Sequence, residues 1–132
     1  MKHIEDKKVK DLMTYGIISM PDHAKAMDAI KILLGRRVHG VVVVGKKGRA
    51  VGVVSELDIS KAVERNLEEV TVAEIMSTPV RDIGADATIR EAVAIMREKG
   101  LGRLYVLDEN GFPEGALSIT NITHEIASSY FK

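Results

Sequence analysis

The chain of 132 residues contains no cysteine and no tryptophan. Without thiols, disulfide bonds, thiolate metal sites and thiol catalysis are excluded. Aromatic residues make up only 4%, so stacking on Tyr or Phe cannot be the main device for recognising a base. Excess charge is lacking too. Nineteen basic residues balance nineteen acidic ones, which argues against non-specific nucleic-acid binding while leaving a local basic patch open. No apolar run approaches the ~20 residues of a membrane span, and Met1-Lys2-His3-Ile4-Glu5-Asp6 does not read as a signal peptide. The expectation is a soluble, cytoplasmic protein away from membranes. What is present is globular in composition, 45% hydrophobic and 29% charged, and of a length for one domain or two half-size units sharing a core.

The chain is written twice. Shifted by 63 residues without a gap, Val9–Ser60 lies over Val72–Thr123. Identical pairs include Val9/Val72, Met13/Met76, Ala29/Ala92, Val43/Val106, Gly48/Gly111, Gly52/Gly115, Ser55/Ser118 and Ile59/Ile122. Apolar positions match in kind elsewhere, as Leu12 does Ile75. A gapless register that keeps glycines and apolar faces together marks a duplicated unit.

Each copy predicts the same elements. A short helical turn (Val9–Met13, Val72–Met76) leads into an extended piece (Gly16–Met20, Pro79–Ile83). An amphipathic helix follows, with Ala26, Ala29, Ile30 and Leu33, or Ile89, Ala92, Val93 and Met96, at i, i+3, i+4 and i+7. Thr88 with Glu91 predicts a capping box and Gly100 a stop. Two hairpin strands come next, Val41–Val44 with Ala50–Ser55, and Leu104–Leu107 with Pro113–Ser118. Val41–Val44 is apolar throughout, which predicts burial on both faces. A last helix carries Leu57, Ile59, Ala62 and Val63, or Ile122, Ile126 and Tyr130, and Glu64–Thr71 reads as a linker. The class is α+β, a doubled β-α-β-β-α unit, with repeats over residues 1–66 and 67–132. One such unit leaves a sheet face uncovered, so the two are expected to pack sheet to sheet with pseudo-twofold symmetry.

Chemistry-bearing patterns are few. His3, His23, His39 and His124 are scattered, which gives no metal-ligand spacing. No nucleophile elbow, phosphate loop or dinucleotide turn occurs, so catalysis is not expected. The informative segment is Gly52-Val53-Val54-Ser55-Glu56-Leu57-Asp58. A strand ends at Ser55 and a helix begins at once, which gathers a hydroxyl, free amides and the positive helix end. Asp58, on the first helical turn, can accept two hydrogen bonds, as a ribose diol would donate them. The same residues also suit a plain helix cap, and both roles stay open. The second copy, Gly115-Ala116-Leu117-Ser118-Ile119-Thr120-Asn121, has an amide in place of the carboxylate. It lacks charge assistance, about half the strength of such a bond, so a weaker or differently tuned site is expected.

The doubled unit, the Met13-Thr14 and Met76-Ser77 openings, and the recurring Gly-x-x-Ser-x-x-Asp/Asn resemble a tandem pair of cystathionine-β-synthase (CBS) domains, a Bateman module, and a stand-alone module is the expectation. The resemblance implies a regulatory sensor that binds an adenosine-containing ligand (AMP, ADP, ATP or S-adenosylmethionine) in clefts between the repeats. It also implies a disc-like homodimer and modulation of an unidentified partner protein, with no cofactor required. By the same resemblance, Asp58 and Asn121 stand at the ribose position and Ser55 and Ser118 near the phosphate. Val38, His39 and Gly40, with Gly102, Arg103 and Leu104, stand where relatives line the base pocket and supply a His or Arg to phosphates. Ile18, Val80 and Arg81 flank the adenine slot, although core packing is an open role for Ile17 and Val80. Arg103 can clamp a phosphate in two parallel bonds; its counterpart in the first copy is Gly40. Lys46, Lys47 and Arg49 form a basic hairpin tip, either solvated or facing a partner. The competing reading is a structural dimerisation and protein-interaction module with degenerate, unoccupied clefts, favoured by Asn121 and Gly40.

Overall fold

A computed structural model describes residues 3–131. The ends of the two repeat ranges, at Met1, Lys2 and Lys132, lie outside the described residues. A 3-10 turn at Ile4–Asp6 precedes α1 (Val9–Leu12), β1 (Thr14–Tyr15), β2 (Ser19–Pro21) and α2 (Ala26–Gly35). Next come β3 (Gly40–Val44), a 3-10 turn at Lys46–Gly48, β4 (Ala50–Ser55), α3 (Glu56–Lys61) and α4 (Val72–Ile75). The chain continues through β5 (Asp82–Ile83), α5 (Ile89–Lys99), β6 (Arg103–Leu107), β7 (Pro113–Ser118) and α6 (Ile119–Tyr130). The class is α+β: each repeat builds a small mixed sheet with helices, as the element pattern predicts.

In space the chain divides into two compact units, cut differently from the repeats. One is Ile17–Val80; the other joins residues up to Gly16 with those from Arg81 onward. The turn that opens each repeat therefore packs with the other repeat's sheet. The reason is apolar: Val9, Leu12 and Met13 fill the core of Ile89, Ala92, Met96, Leu104, Val106 and Leu117. Val72 likewise sits among Met20, Ala29, Leu33, Val41, Val43 and Val54. Each fully buried aliphatic side chain contributes about 1.5–3 kcal/mol relative to exposure, enough to draw in a four-residue helix that would not form alone. Backbone bonds fix the crossing: Val9 donates to Ala87 and Ile89 to Lys7, each at 2.8 Å, while Val72 donates to Ala24 at 2.8 Å and Ala26 to Val70 at 2.9 Å.

In the Ile17–Val80 unit the sheet order is β2-β3-β4, with β2 parallel and β4 antiparallel to β3. Val41, Val42 and Val43 are wholly buried, as their unbroken apolar run predicts. In the other unit the order is β1-β7-β6-β5, with β5 parallel to β6 and β1 antiparallel to β7.

Several expectations change in detail. Of the extended piece expected at Gly16–Met20 only Ser19 and Met20 are strand, in β2, and a further strand, β1, precedes it at Thr14–Tyr15. Gly16, at φ +81°, breaks the extended path where the chain leaves one unit for the other. The piece expected at Pro79–Ile83 is a strand only at Asp82–Ile83. Thr88 caps α5 by accepting from the Glu91 amide at 3.2 Å, but the exposed Glu91 carboxylate does not complete the box. The first repeat's last helix stops at Lys61, so Ala62 and Val63 lie beyond it. Leu57 and Val63 do not face a core; they are 62% and 74% exposed. In α6 Ile122 packs on the core while Ile126 and Tyr130 are exposed.

Candidate functional site

The Gly-x-x-Ser-x-x-Asp/Asn segments form the same device twice. Ser55 is the N-cap of α3: its Oγ accepts from the Asp58 amide at 3.3 Å. In return Asp58 Oδ2 accepts from the Ser55 amide at 2.8 Å and from Ser55 Oγ at 2.9 Å. The box is closed from outside by Ser77, whose hydroxyl donates to Asp58 Oδ1. Asp58 is 7% exposed, and among the described residues it is the buried charged group. A carboxylate can be buried here because both oxygens have donors.

In α6, Ser118 Oγ accepts from the Asn121 amide at 3.1 Å, and Asn121 Oδ1 accepts from the Ser118 amide at 2.8 Å and from Ser118 Oγ at 3.1 Å. The outer partner is Thr14, the position of Ser77 one repeat earlier. Here the polarity is reversed, because Asn121 Nδ2 donates to Thr14 Oγ1 at 3.1 Å. Ser77 accomplishes in one backbone bridge to Val53 what Thr14 does within β1 against Ala116. Thr14 and Ser77 close the two caps, a role that sequence reasoning passed over. The signal was present, since a hydroxyl follows Met in both repeats at the same offset as the cap residues.

The two devices differ in charge. The first turn of α3 carries Glu56 and Asp58, whereas that of α6 carries no acid. Arg103 stands opposite Ser118 in the β6–β7 register, and Gly40 opposite Ser55 in β3–β4. Directly opposed residues share a sheet face with Cβ atoms roughly 5 Å apart. Arg103 is half-buried, and among the described residues no hydrogen bond or ion pair engages it. The Gly102 carbonyl accepts from the Ile119 amide at 3.0 Å, which ties this segment to the start of α6. Thus Gly102, Arg103, Ser118 and Asn121 gather in one unit, and Gly40, Ser55 and Asp58 in the other.

The remaining candidates are placed less directly. The Leu104 side chain is wholly buried in the core, which leaves only its backbone for contact. Ile18, from a short extended piece, and Val38, from the stretch before β3, are both partly buried against the Val41–Val54 core. His39 and Arg81 are exposed and Val80 half-buried; the Arg81 carbonyl accepts from the Tyr105 amide at 2.8 Å. A groove of about 600 Å³ lies elsewhere, lined by Asp82, Asp86, Asp108, Glu109 and Glu114, an acidic wall unsuited to phosphate. Among the described residues no three His, Asp or Glu converge as a metal site, and no helix is long and apolar enough to cross a membrane.

The CBS domain model matches residues 9–65 and 72–128, at the 63-residue offset of the internal repeat. The chain belongs to the CBS domain family. An uncharacterized protein of Methanopyrus kandleri, MK0525, is 36% identical over 100 residues, 71% of this chain and 51% of that protein. The chain thus spans about half the length of that relative. Among solved structures, the CBS domain pair of protein MJ0100 in complex with 5′-methylthioadenosine and S-adenosyl-L-methionine superposes with a TM-score of 0.82 at 24% identity, covering 93% of this chain and 98% of that one. CBSX2 in complex with AMP has a TM-score of 0.77 at 20% identity, with 93% and 98% covered. These likenesses establish the CBS fold.

Proposed function

We propose that this CBS pair is a regulatory module that binds an adenosine-containing ligand and modulates a partner protein. The observation that carries the reading is the repeated Ser–Asp/Asn cap, closed by a hydroxyl from a second segment, in a chain whose structural relatives hold adenosyl compounds. In the Ile17–Val80 unit Asp58 supplies acceptors for a ribose diol; in the other unit Arg103, opposite Ser118, supplies a cation for a phosphate. A charge-assisted contact of ~1.5–3 kcal/mol in either unit, joined by pocket burial, suits micromolar binding. The ligand is one of AMP, ADP, ATP or S-adenosylmethionine, acting as an effector and not as a cofactor. Regulation then follows from any difference in its affinity for two states of the module.

A second reading has its own support. Leu34, Leu57, Val63, Ile119, Tyr130 and Phe131 are 55% or more exposed, an apolar burden suited to a homodimer or a protein partner. In that reading the caps are purely structural.

The test is calorimetric titration, with thermal shift, of the purified chain against AMP, ADP, ATP and S-adenosylmethionine. A ligand at 100 times its dissociation constant adds about 2.7 kcal/mol, a rise of several degrees in Tm. The expected result is saturable binding of at least one compound, weakened in Asp58→Asn. No response at millimolar concentration of any of them overturns the sensor reading in favour of the interaction module.

A further inference from the structure

The Asp58 carboxylate is occupied from within the protein. Its Oδ2 takes both the amide and the hydroxyl of Ser55, and its Oδ1 takes the hydroxyl of Ser77. Oδ2 already holds two donors, so a cis-diol must place both of its hydroxyls on Oδ1, and one of the two acceptor positions there is taken by Ser77. Ser77 is exposed whereas Asp58 is buried, so the removable partner is the serine from outside the cap. Its backbone is pinned by mutual bonds with Val53, at 2.9 and 3.1 Å, so a side-chain rotation frees Oδ1 while the backbone stays in place.

We infer that Ser77 is an internal competitor for Asp58, which mimics a ligand hydroxyl and sets the concentration at which this site fills. The inference deepens the adenosine-binding reading and rests on it. It applies to one unit only. At Asn121 the carbonyl oxygen is saturated by Ser118, and Thr14 receives a hydrogen bond instead of donating one. Removing the Thr14 hydroxyl there uncovers a donor, not an acceptor.

The experiment is titration of the full chain with AMP and with S-adenosylmethionine in four forms: unchanged, Ser77→Ala, Ser77→Thr and Thr14→Ala. Ser77→Ala is expected to bind roughly fivefold tighter, the equivalent of one net hydrogen bond no longer broken on binding. Ser77→Thr, which keeps the hydroxyl, is expected to return the original affinity, and Thr14→Ala to bind no tighter. If the unchanged chain binds but Ser77→Ala binds equally or more weakly, Ser77 is a ligand contact or a bystander and the inference fails alone. If neither the unchanged chain nor Ser77→Ala binds either compound, the adenosine reading fails and takes the inference with it.

Discussion

A Cβ built on Gly115 falls 2.4 Å from the Thr14 carbonyl oxygen. The glycine that opens the Ser118–Asn121 motif is thus the place where β1 crosses β7. A Cβ on its counterpart Gly52 would fall 2.5 Å from Met76 Sδ and 3.0 Å from the Ser77 carbonyl oxygen. Glycine, cap and crossing hydroxyl form one unit of structure, which is why they recur together.

Gly115→Ala should destabilise the protein by about 2–3 kcal/mol, because backbone must move. Gly52→Ala should cost less, about 1–2 kcal/mol, because the closest atoms are Sδ and Cγ of Met76, which a change of rotamer can move, whereas at Gly115 the closest is backbone. Denaturant midpoints of the two variants decide the order. Equal losses would mean that Met76 is as rigid as backbone.

Asn121→Asp should stabilise the protein. The first turn of α6 has no acid, and a carboxylate there is worth ~0.3–1 kcal/mol against the helix dipole, or about 1–4 °C in Tm. The Thr14 hydroxyl should then turn to donate, as Ser77 does to Asp58. Conversely, Asp58→Ala should cost about 2–3 kcal/mol, since it strands the donors of Ser55 and Ser77. Thermal unfolding of both variants measures this, and a destabilised Asn121→Asp would contradict it.

Arg37 adopts φ +52° just past α2, where the second repeat has Gly100 at φ +66° after α5. Among the described residues no hydrogen bond or ion pair holds Arg37 there. Arg37→Gly is expected to gain about 0.5–1 kcal/mol by relieving left-handed strain. Gly100→Arg should lose a similar amount. Urea titration distinguishes the pair, and a loss in Arg37→Gly would show that the side chain contributes more than its strain costs.

The Thr71 amide, at 2.7 Å, and the Thr71 hydroxyl, with Arg65 nearby, hold the Glu74 carboxyl below its ordinary value of 4.5. The Lys10 and Lys8 ammonium groups hold Asp86 below 3.8, while Asp86 raises Lys10 above 10.5. A lowered carboxyl stabilises above its unfolded value and ceases to do so as pH falls through the folded one. A raised lysine stabilises until pH climbs through its folded value. Stability should therefore be flat around neutrality and fall below about pH 4. In denaturant series, the deficit of Glu74→Gln relative to the unchanged chain should be present at neutral pH and vanish in acid. A deficit that persists in acid would place its origin in packing rather than charge.

The duplication and most element positions were legible because they rest on near neighbours. Helical spacing around Ala29 and Ala92, the unbroken valines of β3 and the glycine-bearing hairpins are all local patterns. So was the Ser55–Asp58 cap, a bond across three residues. The outward-facing Leu57 was not legible, since a six-residue helix has too few turns for periodicity to separate its faces, and Val63 was not because the helix ends before it.

By itself the sequence determined the repeat, the class and the cap residues, all set by propensities and spacings within about a dozen positions. Only the tertiary structure decided which repeat's opening turn joins which sheet, and hence that Ser77 reaches Asp58 while Thr14 receives from Asn121. The physical reason is that burying Val9 or Val72 is favourable in any apolar core. Which core each turn enters is written in pairings between distant residues, Thr14 with Ala116 and Ser77 with Val53, which no linear spacing records.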